Sequence, residues 1–344
     1  MKCWHLRWVL WLALVAGWLM GCQVDTANPI PAPGSSVAVD RLSQLGVFVG
    51  NVADQVPRED FHPYDVNASL YSDGASKFRF IYVPPGTQIH VNDDRWTIPV
   101  GAYLVKTFYF PRDARNPALG RRLIETRFLV RHSDGFVVST YLWNDEQTDA
   151  IASGGNVDVP ISWIDETGAE HDDHFHVPGT SQCQSCHSER ALGLRTRQWA
   201  PNTPETSGQL ERFVASGVLD SLPVIGNALE DPLGSAPLEA RARSYLDANC
   251  AHCHAPDGSA ASTDLYWDLE HTTASTLPLC RSTSKIDGTD QVMVPGNPAQ
   301  SSFLARMRSG DPFLRMPRGP THVPDGQGIA VLSAWVAQMP ASCQ

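Results

Sequence analysis

The chain has 344 residues, a length that suits about two domains. With 42% hydrophobic and 18% charged residues it reads as globular and not disordered. A formal charge of -11, with no basic run longer than Arg121-Arg122, argues against nucleic acid as a partner, because phosphate binding needs a basic face.

The first element is a targeting segment. Lys2 and Arg7 form a short basic region ahead of the apolar run Trp8 to Leu19, which is too short for an ordinary spanning helix. Leu19-Met20-Gly21-Cys22 looks like a bacterial lipoprotein cleavage box, with residues 1–21 removed and the Cys22 thiol lipidated. The alternative is an ordinary signal peptide followed by a stray cysteine. A non-acidic residue after the cysteine, here Gln23, is compatible with sorting to the outer membrane. Residues 22–39, with "NPIPAPGSS", then read as a flexible tether.

Residues 40–178 carry β signals. "KFRFIYVPPGTQIHV" predicts two short strands around Pro84-Pro85-Gly86. "RLIETRFLVRHSDGFVVSTYLW" predicts a hairpin turning at Asp134-Gly135, with Ile124, Thr126, Phe128 and Val130 on one face. "VPISWIDETGAEHDDHFHVP" gives another strand pair around Thr167-Gly168. At least six strands in a meander suggest an antiparallel β-sandwich-like module. In "WNDEQTDA", the acidic residues Asp145, Glu146 and Asp149 match no calcium loop and read as a solvated turn.

Beyond residue 178 the pattern turns helical, so the expected class is α+β and multidomain. A segment at 179–231 contains the short amphipathic stretch "GQLERFVASGVL". A last domain at 232–344 opens on a helix with Leu238, Ala242, Tyr245 and Leu246 on one face. It closes on "GIAVLSAWVAQM", which aligns Ile329, Leu332, Val336 and Met339.

Two pentapeptides carry the chemistry. Cys183, Cys186 and His187 form one C-x-x-C-H, and Cys250, Cys253 and His254 form the other. The two-residue spacer lets two thiols reach two vinyl groups on one porphyrin edge, and the adjacent histidine falls beneath the iron as axial ligand. The expected cofactors are therefore two covalently attached haem c groups. Zinc is the physical rival. The two pairs start 67 residues apart, longer than common zinc ribbons, and zinc does not explain a histidine after both pairs. Of the remaining cysteines, Cys280 and Cys343 are expected to form a disulfide in an oxidising compartment, or else to stay as buried thiols.

The distal ligands differ. Met316, before Pro317 and 62 residues after His254, is the candidate for the second haem, with Met293 and Met307 in reserve. No methionine lies between Met20 and Met293, so the first haem needs another ligand. The candidates are His171, His174 and His176 upstream, or His62, His90 and His132 in the β-rich part. A vacant sixth position stays open as well.

"SYLDANCAHCH", "VPGNPAQS", "RMPRG" and "LSAWVAQM" resemble a class I cytochrome c domain. The longer series "LIETRFLVR", "YLWNDEQTDA", "VPISW" and "QCQSCH" resembles a family of exported bacterial diheme c-type cytochromes, over roughly residues 40–344. That resemblance implies a mainly α, cytochrome c-like region at the C-terminal end. It also implies that Cys183 and Cys186 attach one haem with His187 axial, and that Cys250 and Cys253 attach the other between His254 and Met316. The expected function is electron transfer by a lipid-anchored protein on the periplasmic side of the outer membrane. Its partners would be a periplasmic dehydrogenase or other cytochromes, and an acidic surface suits basic redox partners. Two alternatives stand beside it. One is a diheme peroxidase-like enzyme with one open-site haem. The other is a partner-binding β module that uses the haems as its electron outlet.

Overall fold

The computed structural model describes residues 39–341, apart from residues 93, 188–190, 274 and 320 and the side chains of Ser185 and Cys186. The expected signal peptide, the lipidated Cys22, most of the tether and Cys343 therefore lie outside the described residues. Among the described residues no helix is long and apolar enough to cross a membrane.

The β-rich part is one six-stranded antiparallel meander. Its strands, in order across the sheet, are β1 (Phe61–Pro63), β2 (Ser76–Tyr82), β3 (Tyr103–Pro111), β4 (Arg121–His132), β5 (Gly135–Trp143) and β6 (Ala150–Ser153). The β4–β5 hairpin pairs His132 with Gly135, so the turn is Ser133-Asp134, one residue before the expected Asp134-Gly135, and Gly135 opens β5. A separate hairpin joins β7 (Val157–Ile164) and β8 (Glu170–Val177). Period-two side-chain alternation gives the meander two apolar faces. Phe80, Tyr103, Val105, Phe128, Val130 and Tyr141 face one way, under Leu42 and Leu45 from a short 3-10 turn and Phe48 just after it. Ile81, Leu104, Leu129 and Val138 face the other way.

This second face is covered by the segment after the β7–β8 hairpin. That segment contains α1 (Thr180–His187), α2 (Thr196–Trp199) and α3 (Gln209–Ala215). Cys183, Leu194, Trp199, Leu210 and Phe213 complete its core against the sheet. The first C-x-x-C-H segment is thus the outer layer of the β-rich part.

The remainder packs α4 (Leu238–Asn249), α5 (Ser302–Arg308) and α6 (Gly326–Gln338) around Tyr245, Leu246, Met293, Leu304, Leu332 and Trp335. A small hairpin of β9 (Ser282–Ile286) and β10 (Thr289–Gln291) flanks them. Gly328 lets α6 approach α4, because a Cβ there would fall 2.2 Å from the Tyr245 ring. The Tyr245 hydroxyl donates to Asp325 at 2.8 Å, and Asp325 caps α6 by accepting from the Gly328 amide at 2.8 Å.

The expected fold class needs correction. Over the molecule strand (27%) outweighs helix (22%), and the mainly α, cytochrome c-like region is not present. Three helices form where periodicity points to them or beside them, but a β hairpin and long irregular stretches join them. Nor is there a β-sandwich of two comparable sheets: one meander is covered by helices, turns and loops, and only the two-stranded β7–β8 hairpin packs on it, with Ile161, Phe175 and Val177 against Phe108, Phe110 and Ile124. Two local readings also shift. A β-bulge between Phe108 and Tyr109 leaves Ile124 unpaired and turns it toward Phe108 and Phe110, away from Phe128 and Val130. After Pro84-Pro85-Gly86 no full strand forms, only bridges from Ile89 to Leu219 and from His90 to Thr97.

An ion network fastens these parts together. Asp247 on α4 has a fully buried side chain and meets Arg195 at 2.8 Å and Arg197 at 3.2 Å. Both arginines also reach Asp94 of the β-rich part, at 2.6 and 2.8 Å, and Arg197 reaches Glu270 at 2.5 Å. Asp247 further accepts from the Leu269 amide at 3.1 Å. Removing one partner from a buried pair strands the other charges and costs about 3–5 kcal/mol. Asp247→Ala is therefore expected to lower the unfolding free energy by about that much in urea denaturation. Arg58→Ala, which breaks the more exposed pair with Asp60, should cost under about 1 kcal/mol in the same assay.

Candidate cofactor-attachment sites

α1 presents the first motif. Its entry is held by Gln182, whose side chain accepts from the Gly179 amide at 2.9 Å, and by the Cys183 amide donating to the Gly179 carbonyl at 3.1 Å. Cys183 is a free thiol, 5% exposed, packed in the core with Leu104, Leu129 and Val138. Burial pushes its pKa up. His187, at the end of the helix, is buried as well.

The sheet beneath this helix carries an unusual polar band. Arg79, Lys106 and Arg127 are direct cross-strand neighbours in one row, and Lys77, Phe108 and Glu125 form the next. Glu125 pairs with Arg127, and Asp65 pairs with Arg79 at 2.7 Å. The Lys77 ammonium donates to the Leu70 carbonyl at 2.5 Å. Lys106 has no hydrogen-bond or ion-pair partner among the described residues. Burial, reinforced by Arg79 and Arg127, pushes its pKa down to about 7. Four cations face two carboxylates here, and Cys183 lies within electrostatic reach of Lys106, Arg127 and Glu125.

The second motif continues the end of α4. The Cys250 and Ala251 amides both donate to the Leu246 carbonyl, at 2.8 and 3.1 Å, and the His254 amide donates to the Cys250 carbonyl at 2.9 Å. This coil brings Cys250, Cys253 and His254 around one turn. Cys250 and Cys253 are in no disulfide, and burial, with Cys253 adjacent, pushes Cys250 up to about 12. The His254 Nδ1 lies 3.1 Å from the Leu265 carbonyl. A carbonyl only accepts, so Nδ1 is the donor and Nε2 keeps its lone pair. Burial also pushes the His254 pKa down, with the Leu265 carbonyl working against it. A ring N–H held by a backbone carbonyl is the usual way an axial histidine is oriented. The geometry therefore suits iron ligation through Nε2.

Gly258 closes this turn. Its amide donates to the Ala255 carbonyl at 2.9 Å, and a Cβ would fall 2.1 Å from the Cys253 carbonyl oxygen. Only glycine allows the chain to fold this tightly around Cys253.

Met316 and Met307 line a small cavity of about 10 Å³ with Tyr71, Tyr245 and Asn249. His254 does not line it, so the structure does not set Met316 opposite His254 in a shared cavity. Met293 is wholly buried in the helical core. The histidines considered for the first iron have other neighbours. His171 meets Asp165 at 2.9 Å and stacks on Trp163. His176 meets Asp158 at 2.6 Å, and His90 meets Asp220 at 2.8 Å. His62 sits beside the Phe213 ring and thereby abuts the core that also holds Cys183. His174 is exposed, and His132 ends β4. Asp149 accepts from the Ser43 hydroxyl at 2.6 Å, while Asp145 is largely exposed, so "WNDEQTDA" is a structural turn. The expected Cys280–Cys343 pairing falls on Cys343, outside the described residues.

Sequence reading missed a cleft of about 790 Å³ between the two motif-bearing segments. Its walls include Trp96, Phe136, Leu194, Ala251, His252 and Ala255. His252, between the two cysteines of the second motif, has a buried Nδ1 with no hydrogen-bond partner among the described residues. Arg195, Arg197 and Asp247 line the same cleft. The available signal was Arg195-Thr196-Arg197, two cations two residues apart in an otherwise acidic chain.

No family model matches the chain, and no curated protein or solved structure matches it.

Two outcomes are expected. Gly258→Ala should destabilise the second motif by about 1–3 kcal/mol, because backbone and not a flexible side chain meets the new Cβ. Thermal melting and the yield of covalently bound haem would read this. Lys106 is depressed from 10.5 to about 7, so between those values the unfolded chain binds the extra proton and stability rises with pH. Below about pH 7 the cost of the buried charge is present in full. Lys106→Met should stabilise the protein most near and below neutrality and remove this rise, as followed by urea unfolding from pH 6 to 10.

Proposed function

We propose that the chain is an exported diheme c-type electron-transfer protein, anchored by a lipidated Cys22 on the periplasmic side of the outer membrane. The observation that carries the reading is the second motif. Two free thiols and a histidine occupy one helical turn, and Leu265 fixes that histidine so that Nε2 is bare. Haem bound there would supply one-electron chemistry at iron. Cys250 and Cys253 would hold it covalently, and His254 would be its axial ligand. Met316 is proposed as its distal ligand, since its cavity neighbours Tyr245 and Asn249 sit on the last turns of the helix that delivers Cys250.

For the first motif, Cys183 and Cys186 would hold the second group, with His187 axial. The core around Cys183 is apolar, and the nearby row sets four basic side chains against two carboxylates. A haem edge bearing two propionates suits that excess. The protein's own residues thus bind, orient and shield, and no substrate chemistry is required of them. Periplasmic dehydrogenases or other cytochromes are the proposed partners, met in small and transient encounters.

The experiment is an intact mass of the mature protein from a host with c-type maturation, with visible spectra taken with and without carbon monoxide. The expected result is an acylated Cys22 terminus and two added haems, falling to one in Cys183→Ser/Cys186→Ser and to one in Cys250→Ser/Cys253→Ser. A single haem in the unmodified chain would overturn the diheme reading. A carbon monoxide shift would show an open or displaceable coordination position and favour the peroxidase-like alternative.

A further inference from the structure

Away from both motifs, three chain segments bring metal-ligating side chains together. Asp158 on β7 and His176 on β8 are direct cross-strand partners, with His176 Nδ1 2.6 Å from the Asp158 carboxylate. His322, from the loop between α5 and α6, lays its ring on His176, with centroids 4.5 Å apart and planes 12° from parallel. One ligand atom from each of the three lies within 4.8 Å of the others. A hydrogen-bonded His–Asp pair on a hairpin is common and needs no third member. What requires explanation is how firmly the third member is delivered.

The loop at His322 is clamped from two sides through its backbone. The His322 amide donates to both carboxylate oxygens of Asp73, at 2.9 and 3.0 Å, and the Val323 amide donates to the same group at 3.0 Å. The Arg315 guanidinium donates to the His322 carbonyl at 2.5 Å and to the Thr321 carbonyl. Asp73 is itself buried and held in the left-handed region at φ +50°. These bonds fix the Cα of His322 and leave its exposed ring free to turn. A fixed backbone carrying a mobile imidazole next to a His–Asp pair is the arrangement a preorganised ligand set needs.

We propose that Asp158, His176 and His322 form a binding site for a divalent transition-metal ion of the zinc type, which pins the C-terminal loop to the β7–β8 hairpin. Two imidazoles and a carboxylate are the donors that suit such an ion, in contrast to the all-oxygen sets of calcium and magnesium. Bonds of about 2.0–2.2 Å place tetrahedral ligand atoms about 3.3–3.5 Å apart. Binding therefore opens the short His176–Asp158 contact, with the metal taking the place of the proton between them. The His322 ring turns out of its stack so that its lone pair points at the same centre. His176 binds through Nδ1 and carries its proton on Nε2, and water completes the fourth position. His174, two residues along the same strand, is exposed and outside the three-residue set, and so serves as a control. The site does not depend on the haem reading.

The test uses the full-length, haem-loaded protein without a histidine tag, washed with chelator and titrated with zinc sulfate by calorimetry. One zinc per chain is expected, with a rise in melting temperature. His322→Ala and Asp158→Asn should each weaken binding at least tenfold, and His174→Ala should leave it unchanged. His322 is exposed, so that variant tests the site without risk to folding. Absence of saturable binding, or zinc binding that His322→Ala does not alter, would overturn the proposal.

Discussion

The buried carboxylate of Asp247 is the constraint on which the arrangement of the molecule depends. It sits on α4, immediately before the second motif, and holds Arg195 and Arg197, which follow the first. Those two arginines also bind Asp94 in the β-rich part. Each bond alone would be a poor source of stability, because taking charges out of water offsets most of the Coulombic gain. Together they act as a geometric lock. Any sliding of α4 against the sheet leaves a buried charge without its partner, which is far costlier than slippage between apolar surfaces. The lock therefore fixes how the two motifs face each other across their cleft, something that neither hydrophobic core does by itself.

The two cores settle the local frame within which that lock operates. The meander is buried on both faces, and its second face is completed by the first motif's own segment. Cys183 is as much a core residue as Leu104 or Val138. The second motif is placed differently. It is an extension of α4, whose position follows from the close crossing at Gly328 and Tyr245 and from the Asp325 cap. One motif is thus seated on a sheet and the other on a helix pair. Their surroundings differ in charge as well as in shape.

Much of this was legible in local pattern. Alternation and the Asp134-Gly135 turn predicted the β4–β5 hairpin, and helical spacing predicted α4 and α6, because each signal is contained in a dozen residues or so. The C-x-x-C-H pentapeptides are legible for the same reason. What was not legible depends on distant partners. The bulge opposite Ile124 is set by how β3 pairs with β4, not by the alternation within β4. Lys106 carries no local sign of burial, yet the sheet is covered on both sides and the residue faces the inner layer. The β9–β10 hairpin did carry a signal, since Asp287 and Gly288 both have positive φ, the requirement of a tight primed turn.

The same division between local and distant information explains why the chemistry of the motifs could be read while the environment of the first one could not. Attachment needs only two thiols and a histidine in five residues. The surroundings need Arg79, Lys106 and Arg127 to line up from three strands, and they need Asp94 to meet Arg195 across about a hundred residues of chain. Charges brought together in this way have a cost that must be met by something in the folded protein. At Asp247 it is met by the arginines themselves. In the row beneath Cys183 it is met only in part, because Glu125 and Asp65 answer two of the four cations. A protein can sustain such an imbalance where water or an anionic group completes the site. The basic row beside the buried Cys183 is therefore the feature through which the fold of the β-rich part bears on the function proposed for it. On that proposal the β-rich part is the polar seat of the first motif, a role that its strand pattern alone did not suggest.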